Sequence, residues 1–308
     1  MESRIRPKVI NGINIKRGFS TLAVAGDSQT KLNPYWITGF CDGESSFVIR
    51  ISENPKYKAG WKIEARFQIG LHIKDRVILE LIQSYFGLGT ISKQGKDSVG
   101  YRVTRTKDLI KIIDHFNKYP FVTQKQADFV LFKQAVGLIE NKEHFTIEKL
   151  VAIKAVLNKG LSEVLKNAFP AIVPVTRPLV EDKVIKDPYW LAGFTSGEGC
   201  FLVSIYKSQV VGGRETVGLV FKISQHSRDE QFMNSLVSFF GAGNVYKYKE
   251  VMDFKITNYG DIAKIIIPFF DKYSIIGVKS QDFEDFKRVA ELLKKGNISP
   301  LKGWKRFV

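Results

Sequence analysis

The sequence predicts an α+β protein made of two pseudo-symmetric αββαββα halves, each an antiparallel saddle-like sheet with helices on one face. Three observations support this. The segment Trp36-Ile37-Thr38-Gly39-Phe40-Cys41-Asp42-Gly43-Glu44-Ser45-Ser46-Phe47 recurs 154 positions later as Trp190-Leu191-Ala192-Gly193-Phe194-Thr195-Ser196-Gly197-Glu198-Gly199-Cys200-Phe201. The same shift carries Phe67 onto Phe221, His72 onto His226, Asp75 onto Asp229, Gly89 onto Gly243, Lys118-Tyr119 onto Lys272-Tyr273 and Lys125 onto Lys279. Within each copy, pairs of alternating segments are separated by helical ones, the pattern of an antiparallel sheet backed by helices. A solenoid needs at least three shorter repeats to bury a core, so two long copies imply half-domains facing across a pseudo-two-fold axis.

The elements run in a regular order. Pro34 to Gly43 reads as a short helix, and Ser46 to Asn54 alternates with Phe47, Ile49 and Ile51 on one face. Trp61 to His72 repeats the alternation, with Ile63, Ala65, Phe67 and Ile69 opposite Lys62, Glu64, Arg66 and Gln68. Lys74 to Phe86 has helical spacing and stops at Gly87-Leu88-Gly89. A second ribbon pairs Thr90 to Gln94 with Val99 to Arg105, and Asp108 to Tyr119 and Gln124 to Lys142 are helices. The second copy repeats this as helix Pro188 to Gly197, ribbon Cys200 to His226, helix Asp229 to Phe240, ribbon Gly243 to Asn258, and helices Asp261 to Tyr273 and Ser280 to Lys295. Between the copies, Glu148 to Asn158 and Ser162 to Phe169 look helical, and Pro170, Pro174 and Pro178 then break and stiffen the linker. The expected divisions are a leader over 1–30, a first domain over 31–145, a linker over 146–186 and a second domain over 187–308.

Composition narrows the partner. Lys and Arg outnumber Asp and Glu by 47 to 31, a net charge of +16 that calls for a polyanion. No apolar run approaches the roughly 18 residues of a membrane span, and the basic residues are dispersed through strand-like segments, so nucleic acid is favoured over a membrane surface. Cys41 and Cys200 fit a reducing compartment, and neither they nor the four histidines have zinc-ligand spacing. The leader, with five basic residues against two acidic ones, reads as a mitochondrial targeting segment or equally as a flexible basic leader or fusion remnant.

In each motif helix the glycines at i and i+4, Gly39 with Gly43 and Gly193 with Gly197, form a stripe. Such a stripe costs helix stability, about 0.5 to 1 kcal/mol per glycine relative to alanine, unless it allows close packing. If the two helices pack through their stripes, Glu44 and Glu198 meet at their C-terminal ends, where the macrodipole already disfavours acids. A divalent cation removes the conflict. Oxygens of Glu44 and Glu198 and the carbonyls of Gly43 and Gly197 suit Mg²⁺ or a similar ion such as Mn²⁺ or Ca²⁺, with water completing the shell.

Two such motifs at a fixed offset, Ile37 to Ser45 and Leu191 to Gly199, with the surrounding order of elements from Leu32 to Lys295, resemble the single-chain LAGLIDADG homing endonucleases. The resemblance implies motif helices at the inter-domain interface, metal-binding acids at Glu44 and Glu198, and lysines near the cleavage centre at Lys125 and Lys279. Gln225 is an expected water-positioning residue, although its counterpart is Leu71. Ser45 stands for the closing glycine of the first motif and Ser196 for the first acid of the second. The implied function is a site-specific double-strand break with short 3′ overhangs, by a monomer that is intron-encoded and mitochondrial. An intron-RNA splicing maturase, alone or combined with cleavage, is the alternative.

The polar strand faces are the expected DNA contacts, since a two-stranded ribbon fits the major groove and its side chains can pair with base edges. In the first copy these are Ser46, Val48, Arg50, Ser52, Asn54, Lys62, Glu64, Arg66, Gln68, Gly70, Thr90, Ser92, Gln94, Arg102 and Thr104. In the second they are Cys200, Leu202, Ser204, Tyr206, Ser208, Val220, Lys222, Ser224, Asn244, Tyr246, Tyr248, Lys255 and Thr257. Because the two faces differ, the target should be long and asymmetric. His72 and His226 are expected to cap the strand-to-helix turns.

Overall fold

The computed structural model describes residues 32–57, 59–141, 146–180, 184–207 and 215–295; the expected leader and Ser208 lie outside them. Helix α1 (Pro34–Glu44) begins where Asn33 accepts the Tyr35 N–H and Pro34 supplies a pre-set φ, and α7 (Pro188–Glu198) begins in the same way under Asp187. Each runs directly into a sheet. The first contains β1 (Ser45–Glu53), β2 (Trp61–His72), β3 (Thr90–Lys93) and β4 (Ser98–Val103) in the order β1-β2-β4-β3, antiparallel throughout. The second contains β5 (Gly199–Lys207), β6 (Glu215–His226), β7 (Asn244–Tyr248) and β8 (Val251–Ile256) in the matching order β5-β6-β8-β7.

Helices cover one face of each sheet. In the first half they are α2 (Arg76–Phe86), α3 (Thr106–Lys118) and α4 (Lys125–Glu140). Between the halves lie α5 (Thr146–Val156) and α6 (Glu163–Ala168), whose Leu150, Val151, Ile153 and Leu165, with Leu157 just past α5, are buried in the first half's core. In the second half they are α8 (Glu230–Phe240), α9 (Tyr259–Asp261), α10 (Ile267–Lys272) and α11 (Lys279–Lys294). Gly87 and Gly241, at φ 67 and 64, end α2 and α8 in the left-handed conformation, where a side chain would be strained. His72 and His226 accept the N–H two residues on, at 3.2 and 3.1 Å, and cap the turns as expected.

The core of each half is built on one aromatic. Phe47 packs against Phe67, Phe116, Phe129 and Phe132, and Phe201 against Phe221, Phe270, Phe283 and Phe286, all at the repeat offset. The cover differs. Ile49 and Ile51 on β1 are 0% and 8% exposed, whereas Val203 and Ile205 on β5 are 41% and 62% exposed. In the first half α5 lies against β1, and the Asn158 side chain donates to the Phe47 carbonyl at 2.7 Å.

The fixed offset of 154 has one internal departure. Gln68 pairs with Arg102, but Lys222 pairs with Lys255, so the offset falls to 153 across the shorter β7–β8 turn. Leu109 and Ile262 keep 153 as matching core positions, while Ile112 and Ile266, and Phe116 and Phe270, are back at 154. The residue is recovered between them, in a π-helical turn over Ile262–Ile266 that continues α9 into α10. A π turn is a helix with one residue inserted, which restores the phase of everything after it.

Candidate active site and nucleic-acid interface

The motif helices cross at backbone contact. A Cβ on Gly39 would lie 1.8 Å from the Trp190 carbonyl oxygen, and one on Gly193 would lie 1.9 Å from that of Trp36. No side chain fits at either position. Gly43 and Gly197 serve another purpose: a Cβ on Gly43 would stand 2.9 Å from Glu198 Cγ, and one on Gly197 would stand 3.0 Å from Glu44 Cγ. Each glutamate therefore lies over the glycine that precedes the other. Burial, and then the charge of Glu198, push the Glu44 carboxyl above the usual carboxylate range.

Two lysines stand behind the acids. Lys125 opens α4, and its Nζ donates to the carbonyls of Cys41, Gly43 and Ser45 at 2.9, 3.1 and 2.7 Å. Lys279 opens α11 and donates to the carbonyls of Thr195, at 3.2 Å, and Gly197. The amines thus cap the carbonyl ends of α1 and α7, where the macrodipole is negative. Desolvation pulls both lysines below the usual range; Asp42 opposes this most for Lys125, and Glu44 for Lys279. Desolvating an ammonium costs several kcal/mol, and charge-assisted bonds of about 1.5–3 kcal/mol each offset it.

The two motif substitutions have different surroundings. Asp42, 3% exposed, accepts the N–H groups of Val122 and Thr123 at 2.8 and 3.2 Å and the Thr123 hydroxyl. Burial pushes its pKa up to about 6 in spite of Lys125. Its counterpart Ser196 accepts the Ile276 N–H, at 3.2 Å, and the counterpart of Thr123 is Gly277. The second half thus has neither the acid nor the threonine hydroxyl at this contact. Ser45, in place of the first closing glycine, donates its hydroxyl to the Cys41 carbonyl at 2.6 Å.

Beside Glu44, the first-half residues Gly70, Leu71, His72, Asp75, Asp97 and Ser98 line with it an open cleft of about 440 Å³. Gln225, half-buried near the end of β6, is the repeat counterpart of Leu71 and is not among the residues lining this cleft. Glu44, Glu198, Lys125 and Lys279 converge around the ends of the motif helices. Among the described residues no group of three or more His, Cys, Asp or Glu could hold a metal. The donors nevertheless fit a hard divalent cation: they are oxygens only, the carboxylates are held together against their repulsion, and each glycine carbonyl keeps a lone pair beside its lysine bond.

The polar strand faces align across each sheet. Ser46, Gln68, Arg102 and Thr90 form one transverse row, and Cys200, Lys222, Lys255 and Asn244 form its equivalent. Arg66 donates to Glu64 at 3.1 Å and to Gln68 at 3.3 Å, and the Arg102 Nε is buried without a hydrogen-bond partner among the described residues. Gln94 lies across Gly100, where a Cβ would meet its Nε2 at 1.7 Å. Val48, Ser52, Asn54, Ser204 and Ser224 are half-buried, Arg50, Lys62, Ser92 and Thr104 are exposed, and Tyr246 and Tyr248 are 47% and 74% exposed. Lys255 lies over the Tyr246 ring. One position corrects the sequence reading: Val220, opposite Leu202, is 5% exposed and has no surface to offer. Thr257 lies just past β8, and the Tyr206 side chain is outside the described set. Sequence reasoning missed Asp253, an acid on the second face that accepts from Ser224 at 2.6 Å and pairs with Lys255 at 3.0 Å. Its alternation with Lys255 and Thr257 was the available signal.

The family model described as LAGLIDADG endonuclease matches residues 37–136 and 191–290, so both halves and both motif helices are covered. The chain belongs to the LAGLIDADG endonuclease family. Among solved LAGLIDADG structures, I-SmaMI bound to cleaved DNA is 41% identical, with a TM-score of 0.84, covering 87% of this chain and 91% of that one. The LAGLIDADG meganuclease I-CpaMI bound to uncleaved DNA is 44% identical, with a TM-score of 0.83, covering 86% of this chain and 93% of that one. Two Neurospora crassa proteins, probable intron-encoded endonucleases 3 and 2, are 41% and 42% identical over 91% and 90% of this chain. The chain spans 53% and 64% of their respective lengths.

Proposed function

We propose that this LAGLIDADG protein is a site-specific endonuclease acting as a monomer on a long, asymmetric double-stranded DNA target, hydrolysing one phosphodiester on each strand and leaving 3′ overhangs. The observation that carries the reading is the crossed placement of Glu44 and Glu198, two carboxylates held against their mutual repulsion at the joined ends of α1 and α7. A binding module has no use for such a pair. Glu44, Glu198 and the Gly43 and Gly197 carbonyls would hold Mg²⁺ or a related ion, which when bound supplies charge neutralisation and an activated water. Lys125 and Lys279 keep positive charge behind the acids; Lys125, with all three donors on carbonyls, reaches a water or phosphate oxygen only by releasing one, whereas Lys279, bonded to two, has a donor left to offer. Gln225 offers an amide to orient water on one side only, so the two half-sites are chemically unequal. The related I-SmaMI has been seen on uncleaved DNA with calcium, which supports a divalent-ion requirement.

The net charge of +16 and the two unlike reading faces support the target class. Relatives described as intron-encoded, or as lying in an ND4 intron, support an intron origin and a mitochondrial setting. The test is a cleavage selection on a randomised duplex library with Mg²⁺, comparing the protein with Glu44→Gln and Glu198→Gln. Cutting at one defined site by the unmodified chain alone is expected. Equal cutting by both variants would overturn the mechanism, and tight intron-RNA binding without DNA cleavage would replace it with the maturase reading.

A further inference from the structure

Two aspartates outside the motifs cross the interface in opposite directions. Asp75, in the turn before α2, accepts the N–H of Val278 at 2.8 Å, and Asp229, in the matching turn before α8, accepts the N–H of Gln124 at 2.7 Å. Val278 and Gln124 immediately precede Lys279 and Lys125. Neither uses its own side chain as a helix cap. An acceptor at a helix start satisfies an otherwise orphaned N–H and complements the positive end of the dipole. Here both acceptors come from the opposite half of the molecule.

The surroundings are built for this contact. Gly277 has φ 91, and a Cβ there would stand 2.6 Å from Asp75 Oδ1. Asp229 is 2% exposed, a burial that a carboxylate tolerates only when bonded. On the first side the Gln124 peptide is held from behind as well: Arg177 donates to its carbonyl at 3.1 Å and to Asp128 at 2.7 Å. The same reciprocity runs through the core, where Val122 is buried among the second half's residues and Ile276 packs against the first half's.

We infer that Asp75 and Asp229 are positioning residues, each setting the start of the lysine-bearing helix of the opposite half, so that neither half-site is complete without the other half. This rests on the cleavage reading. Asp229 governs the half-site of Lys125, and Asp75 that of Lys279. Each contact therefore acts on one DNA strand.

The test is strand-resolved cleavage of an end-labelled target by Asp75→Ala and Asp229→Ala, together with hydrogen exchange at the Gln124 and Val278 amides without DNA or metal. Each variant is expected to slow one strand about tenfold more than the other, with opposite strands affected, as loss of a charge-assisted bond implies. Each should also lose protection at the one amide it caps. Asp75→Asn and Asp229→Asn keep an acceptor oxygen and should recover most of both effects. Equal slowing of both strands, or unchanged amide protection, overturns the inference. Failure of the unmodified protein to cut any duplex would instead overturn the cleavage reading, and the exchange arm would still decide the contacts.

Discussion

The Trp190 carbonyl oxygen fills the space where a side chain on Gly39 would begin, 1.8 Å from an ideal Cβ. The obstacle is backbone on a helix that is itself packed, so it cannot rotate away. Gly39→Ala is expected to cost about 3 kcal/mol or more in urea unfolding, the upper end for overpacking. Gly137→Ala, a helical glycine with nothing within 4 Å, should instead gain about 0.5–1 kcal/mol. A loss under about 1 kcal/mol at Gly39 would mean that the helices can part.

The pH dependence of stability should differ between the halves. Buried Thr38 and His115 and half-buried Tyr85 form a polar chain, with contacts of 3.2 and 3.3 Å to the imidazole; the equivalent residues are Ala192, Phe269 and Phe239. Burial pushes the His115 pKa down to about 3. Between that value and about 6.5 the unfolded chain binds the extra proton, so this contribution is full above pH 6.5 and is lost as pH falls toward 3. Its slope is at most about 1.4 kcal/mol per pH unit. Replacing the three residues by Ala, Phe and Phe should flatten the acid limb of unfolding measured from pH 7 to 4; an unchanged limb would refute this.

Asp42 and Thr123 should be energetically coupled. Asp42→Ser leaves at least one buried donor without its acceptor, a loss of about 1–3 kcal/mol. In the second half a serine is matched by Gly277. Asp42→Ser with Thr123→Gly should therefore cost less than the two single changes summed, by about 1 kcal/mol in a double-mutant cycle of thermal unfolding. Simple additivity would show that the two positions drifted independently.

Asp253 places a negative charge among Lys222 and Lys255 on the second strand face. Asp253→Asn should strengthen binding to duplex DNA and steepen its salt dependence by about one counterion, since it frees an ammonium for phosphate. Fluorescence anisotropy across a salt series measures both. Weaker binding would indicate that Asp253 reads a base.

The duplication made much of this architecture legible. Motif glycines, aromatic core positions and the helix-opening lysines all obey one spacing, because backbone contact and core volume tolerate no drift. Alternation located the strand faces for the same reason, and failed at Val220, where an outward position is covered by neighbours that period-two reasoning does not include. Linked replacements were harder to read. The change from Thr38, His115 and Tyr85 to Ala192, Phe269 and Phe239 spans three separate helices, and only packing shows that they touch. Asp75 and Asp229 were visible as a repeated acid, but their partners lie across the interface at a separation of 203 and 105 residues.

The π-helical turn at Ile262–Ile266 uncouples two things that a rigid fold would bind together. The β7–β8 hairpin tip is shorter than its first-half equivalent, yet Phe270 and α11 remain in the places their counterparts hold. A surface that must change its recognition can therefore gain or lose residues at its tips, while a distant helix absorbs the difference before it reaches Lys279. Redesign of these hairpins need not preserve their length, provided the helix beyond them is free to wind by one residue more or less.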